Sequence, residues 1–252
     1  MVDWSLRLLG VGNAAAVELG SAMATIERDA RPWLTIDCGG EGLTAFEATY
    51  GDVPRALFMT HAHMDHIAGF ERLFVSAWFD PARRGEVRLY VPVTLLPLLH
   101  QRVASYPNAL AEGGVNFWEA FRVIPVSDHF WLDGQRLEVF PARHHWPDTA
   151  FGLRLLGSLV WTGDTRPIPE ILAKFADADE LIAHDCALEG NPSHSGIEDL
   201  EREYPRELLD RCVLYHYASA AEGVQLRARG YRVGMQGDVI RLRAPAGLPS
   251  QS

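Results

Sequence analysis

The chain has 252 residues, of which 48% are hydrophobic, and its formal net charge is −10. This length and apolar content predict one large domain with a substantial core. The acidic balance and the lack of a Lys/Arg run argue against the broad basic face that grips long nucleic acids, so we expect a small anionic substrate instead.

Targeting signals and sulfur chemistry are also limited by the sequence. The N-terminus lacks a basic segment followed by a long apolar run, and no stretch of 18 uncharged apolar residues occurs. These features predict a cytoplasmic protein with no membrane span. Cys38, Cys186 and Cys212 show no C-x-x-C spacing, so we expect free thiols and no sulfur ligands for a metal.

Apolar runs separated by turn residues predict the elements in chain order. The first half contains predicted strands at 6–9, 23–27, 33–37 and 56–59, which we expect to form a β-meander, then a strand at 87–91 and a Leu-rich helix over 94–105. The second half contains predicted strands at 121–126, 136–142, 151–155, 159–162, 180–183, 211–215 and 239–242, and helices at 169–175 and 197–203. Two strand-rich halves with helices predict stacked sheets covered on the outside, as one domain over residues 1–243 with a frayed tail at 244–252.

A metal-ligating segment lies between the fourth predicted strand and a helical pattern that begins at Ile67. Its sequence is Thr60-His61-Ala62-His63-Met64-Asp65-His66. A strand-to-helix loop can direct these three imidazoles and one carboxylate into a single space. Such donors suit zinc, with manganese and iron as alternatives, and His61/His63 and Asp65/His66 divide into two ligand pairs. A solvated histidine-rich loop is the alternative, but neither solubility nor turn geometry requires this spacing.

A binuclear site needs ligands from further loops, and candidates follow other predicted strands. Asp164, in Thr162-Gly163-Asp164-Thr165, could bridge two metals with its two oxygens, although this segment alone is typical of an ordinary turn. His144 and His145 follow a second strand, and only one of them can ligate if they continue that strand. His216 follows a third strand, where a lone histidine would more often belong to the core. The prediction therefore depends on the whole set.

The order and context of these residues resemble the metallo-β-lactamase superfamily over almost the whole chain. The resemblance implies an α/β fold, a four-layer αβ/βα sandwich in which two mixed β-sheets are flanked by helices and a metal pair lies at one edge. The spacing to Pro147 favours His144 over His145. The implied ligands are His61, His63 and His144 or His145 for one metal and Asp65, His66 and His216 for the other, with Asp164 bridging both and Asp37 orienting the histidine loop.

Within this superfamily, several segments are similar to ribonuclease Z and its phosphodiesterase relatives. In that branch a His-Glu-Ala-Thr segment precedes a His-Ser-Thr segment, whose histidine protonates the leaving oxygen. The matching segments here are His184-Asp185-Cys186-Ala187 and His194-Ser195-Gly196, and their departures leave the role of Asp185 open. The resemblance implies that Asp65 and His194 are catalytic, with a metal-bridging hydroxide as the nucleophile and His194 as the acid. A surface-loop histidine is the alternative for His194.

The substrate class follows from what the chain lacks relative to that branch. Only residues 146–163 separate the third and fourth motifs, which leaves no room for the long arm with which ribonuclease Z proteins grip transfer RNA. A small phosphodiester such as a cyclic nucleotide is therefore favoured, and the resemblance implies a homodimer. One alternative is hydrolysis of a lactone, lactam or thioester, and another is a non-catalytic protein that binds metals and a ligand. An apolar pocket for an acyl chain could come from Phe117, Trp118, Phe130 and Trp131.

Overall fold

The computed structural model describes residues 2–105 and 116–246, and within them the strands form two mixed sheets. In chain order the strands are β1 (Trp4–Gly10), β2 (Met23–Arg28), β3 (Arg31–Ile36), β4 (Ala56–Phe58), β5 (Val87–Pro92), β6 (Phe121–Val126), β7 (His129–Leu132), β8 (Gln135–Pro141), β9 (Phe151–Leu155), β10 (Leu159–Trp161), β11 (Leu181–Asp185), β12 (Cys212–Tyr215) and β13 (Val239–Leu242).

The helices lie between these strands. They are α1 (Gly40–Tyr50), α2 (Met64–Ile67), α3 (Phe70–Trp78), α4 (Leu96–Leu99), α5 (Phe117–Ala120), α6 (Pro169–Phe175), α7 (Ile197–Glu203), α8 (Arg206–Leu209) and α9 (Ala220–Ala228).

The two sheets each combine antiparallel and parallel pairs. The first has the order β13-β1-β2-β3-β4-β5-β6, and the second has the order β12-β11-β10-β9-β8-β7. The predicted meander is confirmed for β1 to β3, but it is wrong for β4, which pairs parallel to β3. The reason is α1, which was not predicted. This helix returns the chain to the end of the sheet at which β3 begins, so that β4 runs in the same direction as β3. The start of α1, Gly40-Glu41-Gly42, has low helix propensity and hides the helical pattern.

The inner faces of the two sheets pack against each other through aromatic side chains. Phe130 of β7 stacks on Tyr90 of β5 with 4.2 Å between ring centroids, and on Phe58 of β4 with 5.9 Å. These contacts bury apolar area between the sheets, which stabilises the sandwich by roughly 25 cal/mol per Å² removed from water. The predicted stacking of two sheets is therefore confirmed.

Helices cover the outer faces. Phe46 of α1 forms a separate apolar cluster with Leu9 and Met23 on the outside of the first sheet. Phe175 of α6 packs on Phe140 of β8 in the second sheet, with 5.5 Å between ring centroids. The resulting order is helix, sheet, sheet, helix, as the four-layer sandwich requires.

Other predicted elements differ in detail. The helix predicted over 94–105 is helical but irregular, since α4 is flanked by a 3₁₀ turn at Val93–Leu95 and a π-helical turn at His100–Ala104. The short strand β7 was missed, as were α5, α8 and α9. By contrast, α6, α7 and β13 have the predicted bounds.

The end of the described chain packs against the second sheet. The Ala246 N–H donates to the Leu156 carbonyl oxygen at 2.8 Å, so the predicted tail is attached at its beginning. The rest of that predicted tail, residues 247–252, lies outside the described residues. In the parts of the chain described, none of the helices combines the length and the apolar character that crossing a bilayer requires.

The candidate site residues follow the carboxyl ends of strands. Asp37 follows β3, His61 follows β4, His144 follows β8, Asp164 follows β10 and His216 follows β12. Asp37 and His216 have φ angles of 65° and 72°, a conformation that non-glycine residues seldom adopt and that is often found at functional sites. The fold thus gathers these residues at one edge of the sandwich.

Candidate metal centre

The histidine segment leaves β4 and enters one helical turn. The prediction of a plain loop was wrong in part, because α2 includes Asp65 and His66. His61, before this turn, has its Nε2 atom 3.1 Å from His63 Nδ1. His66 is buried, while Asp65 is only slightly exposed. The turn therefore aims four donor groups from six consecutive positions toward the interior of the edge.

Among the described residues, donor atoms converge in three groups, in each of which the atoms lie within 4.8 Å of one another. The third group is Asp185, His194 and His216, and Asp164 belongs to both of the others. Its Oδ2 atom lies 3.2 Å from His66 Nε2 and 3.1 Å from His216 Nε2, and 3.5 Å from His61 Nε2. The first group is His61, His63, His144 and Asp164, and the second is Asp65, His66, Asp164 and His216.

The structure distinguishes the two adjacent histidines of the third motif. His144 is buried, its Nδ1–H donates to the Ser193 carbonyl oxygen at 2.9 Å, and its Nε2 lies 3.1 Å from His63 Nδ1. His145 is exposed and belongs to none of the three groups. Both residues lie in the loop after β8, and burial distinguishes His144 as the candidate metal ligand. The inclusion of His145 among the metal ligands is therefore not supported by the geometry.

Unpartnered atoms test whether a metal would fit. Among the described residues, the buried atoms His66 Nε2, His216 Nε2 and Asp164 Oδ1 make no hydrogen bond of acceptable geometry, although both nitrogens lie within 3.2 Å of Asp164 Oδ2. Leaving such atoms unpaired costs roughly 1–3 kcal/mol each, so their concentration at one point indicates a binding site. Imidazole nitrogens around carboxylate oxygens are the donors of divalent transition metals. The residues present thus fit a metal site.

The charge state of the first group also suits a cation. Burial, reinforced by neighbouring imidazoles, holds the pKa of His61 well below its usual value. Burial likewise lowers the pKa of His144 to about 4. Both rings are therefore neutral near pH 7, as metal ligation requires.

In the second group, the charges of the carboxylate and the imidazoles affect one another strongly. Burial opposes ionisation of Asp164, but the imidazoles of His216 and His66 hold its pKa well below the usual value. Burial also opposes protonation of these two rings, yet Asp164 raises the pKa of each well above the usual value. Without a cation the rings neutralise the carboxylate themselves, so metal binding at this group must release protons.

Asp37 orients the histidine segment from behind. Its Oδ1 accepts from the Thr60 N–H at 2.7 Å, and its Oδ2 accepts from the Thr60 hydroxyl at 2.7 Å and from His66 Nδ1–H at 2.8 Å. These bonds leave His66 Nε2 facing the site. Carboxylate–histidine pairs of this kind hold the ring orientation of metal ligands.

Asp185 connects His216 to His194. Its Oδ2 lies 2.8 Å from His194 Nδ1 and accepts from the Thr165 N–H at 2.8 Å, while its Oδ1 lies 3.4 Å from His216 Nδ1. Burial disfavours its charge, but His216 and the hydrogen bond with His194 hold its pKa below the usual value. The His194 ring stacks on His216 with 4.8 Å between centroids. A single carboxylate thereby positions one candidate ligand and the candidate acid.

A cavity of about 230 Å³ opens beside the two groups. Sequence reasoning missed the contribution of the segment after β1, whose one signal is a polar residue, Asn13, three positions beyond the end of that strand. It also missed Asn191 near the predicted acid. The described lining is Asn13, Ala14, Ala15, His63, Asp65, Asp164, Ala187, Asn191, His194 and His216.

The stretch between the third and fourth motifs is as short as predicted. It contains only β9, β10 and the loops around them, which form an antiparallel pair. No additional element projects from this part of the described chain, in agreement with the predicted absence of a long arm.

Sequence comparison identifies relatives along nearly the full chain. Residues 4–240 match the family described as "Anti-Pycsar protein Apyc1". The Apyc1 protein of Bacillus phage BSP38 is 25% identical over 257 residues, covering 92% of this chain and 96% of the relative. Ribonuclease Z of Mycobacterium sp. (strain KMS) is 25% identical over 243 residues, covering 89% and 79%.

Solved structures share the fold. A diphosphatase of the PhnP family aligns with a TM-score of 0.75 at 17% identity, covering 98% of this chain and all of that one. The metallo-β-lactamase fold protein YhfI from Bacillus subtilis aligns with a TM-score of 0.72 at 13% identity, covering 94% and 98%. The predicted metallo-β-lactamase fold and the predicted metal-dependent hydrolase are confirmed.

Proposed function

This chain belongs to the family of the anti-Pycsar protein Apyc1, and we propose that it hydrolyses a small phosphodiester, specifically a cyclic nucleotide, at a pair of divalent metal ions. The two donor groups that share Asp164 support the proposal of two ions, one for each group. Imidazole and carboxylate donors favour zinc, and manganese or iron could use the same set. Ribonuclease Z and a diphosphatase, both similar to this chain, are by name enzymes of phosphate chemistry.

The observation that carries the proposal is the position of His194. Its ring stacks on His216, and its Nδ1 lies on the buried carboxylate of Asp185. Nδ1 is thus engaged, and the ring borders the cavity, where Nε2 can serve as a proton donor. Departure of an alkoxide from phosphorus needs such an acid, whereas the leaving group of an activated lactam or thioester does not.

The chemistry divides between the metals and the side chains. When bound, the ions polarise the phosphoryl oxygens and lower the pKa of coordinated water. Asp65 contributes an oxygen that borders the cavity and can orient the attacking water. His194, protonated at both nitrogens, donates from Nε2 to the departing sugar oxygen while Asp185 holds its other side and stabilises the imidazolium.

The four aromatic residues that the acyl-hydrolase alternative would use lie outside the lining of the cavity. Phe117 and Phe130 are buried in the core, and Trp118 stacks on His100. Trp131 is exposed on β7, the edge strand of the second sheet. None of these four aromatic residues lines the described cavity, so they do not form the acyl pocket that the alternative needs.

The reaction class is tested with chromogenic substrates. Metal-free protein reloaded with zinc or manganese is assayed on bis(p-nitrophenyl) phosphate, a chromogenic lactone and a cephalosporin. The proposal expects metal-dependent release from the phosphodiester alone. Activity confined to the acyl substrates contradicts it, and binding of metal with no turnover of any substrate would favour the non-catalytic alternative.

The role of His194 is tested through the leaving group. In His194→Ala, hydrolysis of a 3′,5′-cyclic nucleotide should fall about 10²–10⁴-fold, the usual contribution of general acid catalysis. Loss on bis(p-nitrophenyl) phosphate should be much smaller, because nitrophenolate leaves without a proton. His129→Ala is the matched control, since that exposed ring pairs with Asp128, lies outside the cavity lining and belongs to none of the donor groups, so it should affect neither substrate. Equal losses on both substrates would contradict the acid assignment.

The homodimer implied by the superfamily resemblance is part of the proposal. Sedimentation equilibrium of the metal-loaded protein should give twice the chain mass of 28.0 kDa. A monomer at the enzyme concentrations used in the assays would contradict that state without affecting the proposed reaction.

A further inference from the structure

The cavity beside the metal groups offers few hydrogen-bond donors to a phosphoryl group. A phosphodiester has two non-bridging oxygens, and attack on phosphorus adds negative charge to both. The ions hold the oxygen that faces them, so the other oxygen needs a donor from the protein. The described lining contains no Lys or Arg for this purpose, and its carboxylates, Asp65 and Asp164, would repel that oxygen. A neutral donor elsewhere in the lining is therefore needed.

Two side-chain amides are present in the described lining, those of Asn13 and Asn191. Asn191 Oδ1 accepts from the N–H groups of Ser193 and His194 at 2.8 and 3.0 Å, so this side chain shapes the loop of the proposed acid. Asn191 is also exposed, whereas Asn13 is half-buried. Asn13 is therefore the better candidate for contact with the phosphoryl group.

A turn sets the orientation of the Asn13 amide. Its Oδ1 accepts from the Ala15 N–H at 3.0 Å. The oxygen and the nitrogen of a side-chain amide are told apart by such bonds, and this one assigns the oxygen to the turn. Among the described residues, Asn13 Nδ2 and the neighbouring Ala14 N–H make no hydrogen bond. Two adjacent donors of this segment are thus free to bind an acceptor.

Backbone contacts place Asn13 beside a candidate metal ligand. The His216 N–H donates to the Val11 carbonyl oxygen at 2.7 Å, and the Asn13 N–H donates to the Tyr217 carbonyl oxygen at 3.4 Å. The segment after β1 therefore runs alongside the segment that carries His216 into the site. A donor attached to this backbone keeps its position relative to the metal groups, as stabilisation of charge that develops during a reaction requires.

Resting on the proposed function, we propose that Asn13 is a further catalytic residue, whose Nδ2 donates a hydrogen bond to the non-bridging phosphoryl oxygen that the ions do not hold. The bond strengthens as negative charge accumulates on that oxygen during attack by water and departure of the leaving group. No proton is transferred at Asn13, so its contribution does not depend on the leaving group. The contact is made with the phosphoryl group alone, so it does not depend on the nucleobase either.

The first test compares two leaving groups. In Asn13→Ala, kcat/KM on 3′,5′-cyclic AMP should fall about 10- to 100-fold, because a hydrogen bond to a charged group is lost. The loss on bis(p-nitrophenyl) phosphate should agree with this value within about 3-fold, in contrast to the smaller loss expected there for His194→Ala. Zinc content should equal that of the parent, since Asn13 belongs to none of the donor groups. A loss confined to one substrate, or a fall in zinc content that matches the fall in activity, overturns the inference.

Two variants separate the donor from the turn. Asn13→Asp keeps an oxygen for the Ala15 N–H but cannot donate, so it should lose at least as much activity as Asn13→Ala. Parental activity of Asn13→Asp overturns the inference. Asp80→Ala is the matched control, since Asp80 Oδ1 accepts from the Ala82 N–H at 2.9 Å in the same kind of turn and lies outside the cavity lining. It should keep parental activity on both substrates.

The second test locates the contact on one oxygen. Each phosphorothioate diastereomer of 3′,5′-cyclic AMP carries sulfur, a weak acceptor, in place of one non-bridging oxygen. Asn13→Ala should lower kcat/KM about 10- to 100-fold for one diastereomer and less than about 3-fold for the other, whose sulfur already weakens the bond. A diastereomer that the parent does not hydrolyse is compared by its inhibition constant. Equal effects on both diastereomers overturn the inference.

Failure of the proposed function is distinguishable from failure of the inference. Turnover of bis(p-nitrophenyl) phosphate without turnover of cyclic AMP overturns the proposed substrate, and a loss of about 10- to 100-fold in Asn13→Ala on the former would still support the role of Asn13. If Asn13→Ala and Asn13→Asp both keep parental turnover of the two substrates, the inference is wrong and the proposed hydrolysis stands.

Discussion

Replacing Asp37 by asparagine should remove one metal from the site and keep the other. The two carboxylate oxygens accept from the Thr60 N–H, the Thr60 hydroxyl and His66 Nδ1–H, at 2.7 to 2.8 Å. Asparagine has one acceptor oxygen, so its NH₂ group would face either the Thr60 N–H or the ring N–H of His66. His66 belongs to the group with Asp65 and His216, and that group should be the one affected.

The size of the effect follows from the number of bonds lost. Loss of the partner that orients a metal-ligating histidine typically reduces affinity 10- to 100-fold, which is about 1.4–2.7 kcal/mol. The unsatisfied buried donor should lower the free energy of unfolding by roughly 1–3 kcal/mol in addition. Asn tolerates the positive φ of 65° at this position, so backbone strain does not account for the change.

The assay is the metal content of the protein after dialysis against buffers of graded free zinc. We expect Asp37→Asn to lose one ion per chain at a free zinc concentration where the parent holds two. Asp210→Asn, in an exposed pair with Arg206, is the control and should behave as the parent. If Asp37→Asn retains both ions with parental affinity, then the hydrogen bond between Asp37 and His66 in the parent does not orient that ligand.

Three further predictions concern stability and the site. Burial opposes ionisation of Glu27, but hydrogen bonds from two hydroxyl groups and an arginine lower its pKa. The ionised Glu27 therefore stabilises the folded protein at pH values above its unfolded pKa. This contribution to the free energy of unfolding is lost as the pH falls through the lower folded pKa. Glu27→Gln should cost roughly 1–3 kcal/mol at pH 7 and flatten the acid side of the stability profile measured by urea unfolding. A profile as steep as the parent's would contradict this role. Arg154→Met leaves Glu180 buried without its 2.9 Å partner and should cost roughly 3–5 kcal/mol, whereas a cost below 1 kcal/mol in denaturant melts would show that Glu180 is neutralised otherwise. Gly163→Ala places a Cβ 2.6 Å from a main-chain oxygen at φ +67°, so it should displace the bridging aspartate and leave the protein with fewer metal ions by elemental analysis; unchanged metal content would show that the turn can adapt.

Local patterns predicted the parts of the site that lie close together in the chain. His61, His63, Asp65 and His66 lie within six consecutive positions, and their donor atoms meet in two groups in the structure. The ends of the strands that precede Asp164 and the other candidates could be predicted from apolar runs, because short buried strands bounded by turns have a clear pattern. The fold class followed from the resemblance that these residues support.

Contacts between distant segments could not be predicted in the same way. His144 and His145 are adjacent residues of one type, and the carbonyl of Ser193, far along the chain, engages only the first. Asp185 bonds His194 in a nearby loop and approaches His216 at the end of another strand, which no spacing indicates. Helix α1 forms because Phe46 packs on the first sheet, although its glycine-rich start disfavours a helix.

The most direct test of the account is hydrolysis of 3′,5′-cyclic AMP by metal-free protein titrated with zinc, followed by ³¹P NMR and elemental analysis on the same samples. We expect no hydrolysis without metal, conversion of the cyclic phosphodiester to a monophosphate, and activity that rises mainly with the second equivalent of zinc. Hydrolysis that is equally fast without metal, or no hydrolysis with two zinc ions bound, would contradict the proposal that this site is a two-metal cyclic nucleotide phosphodiesterase.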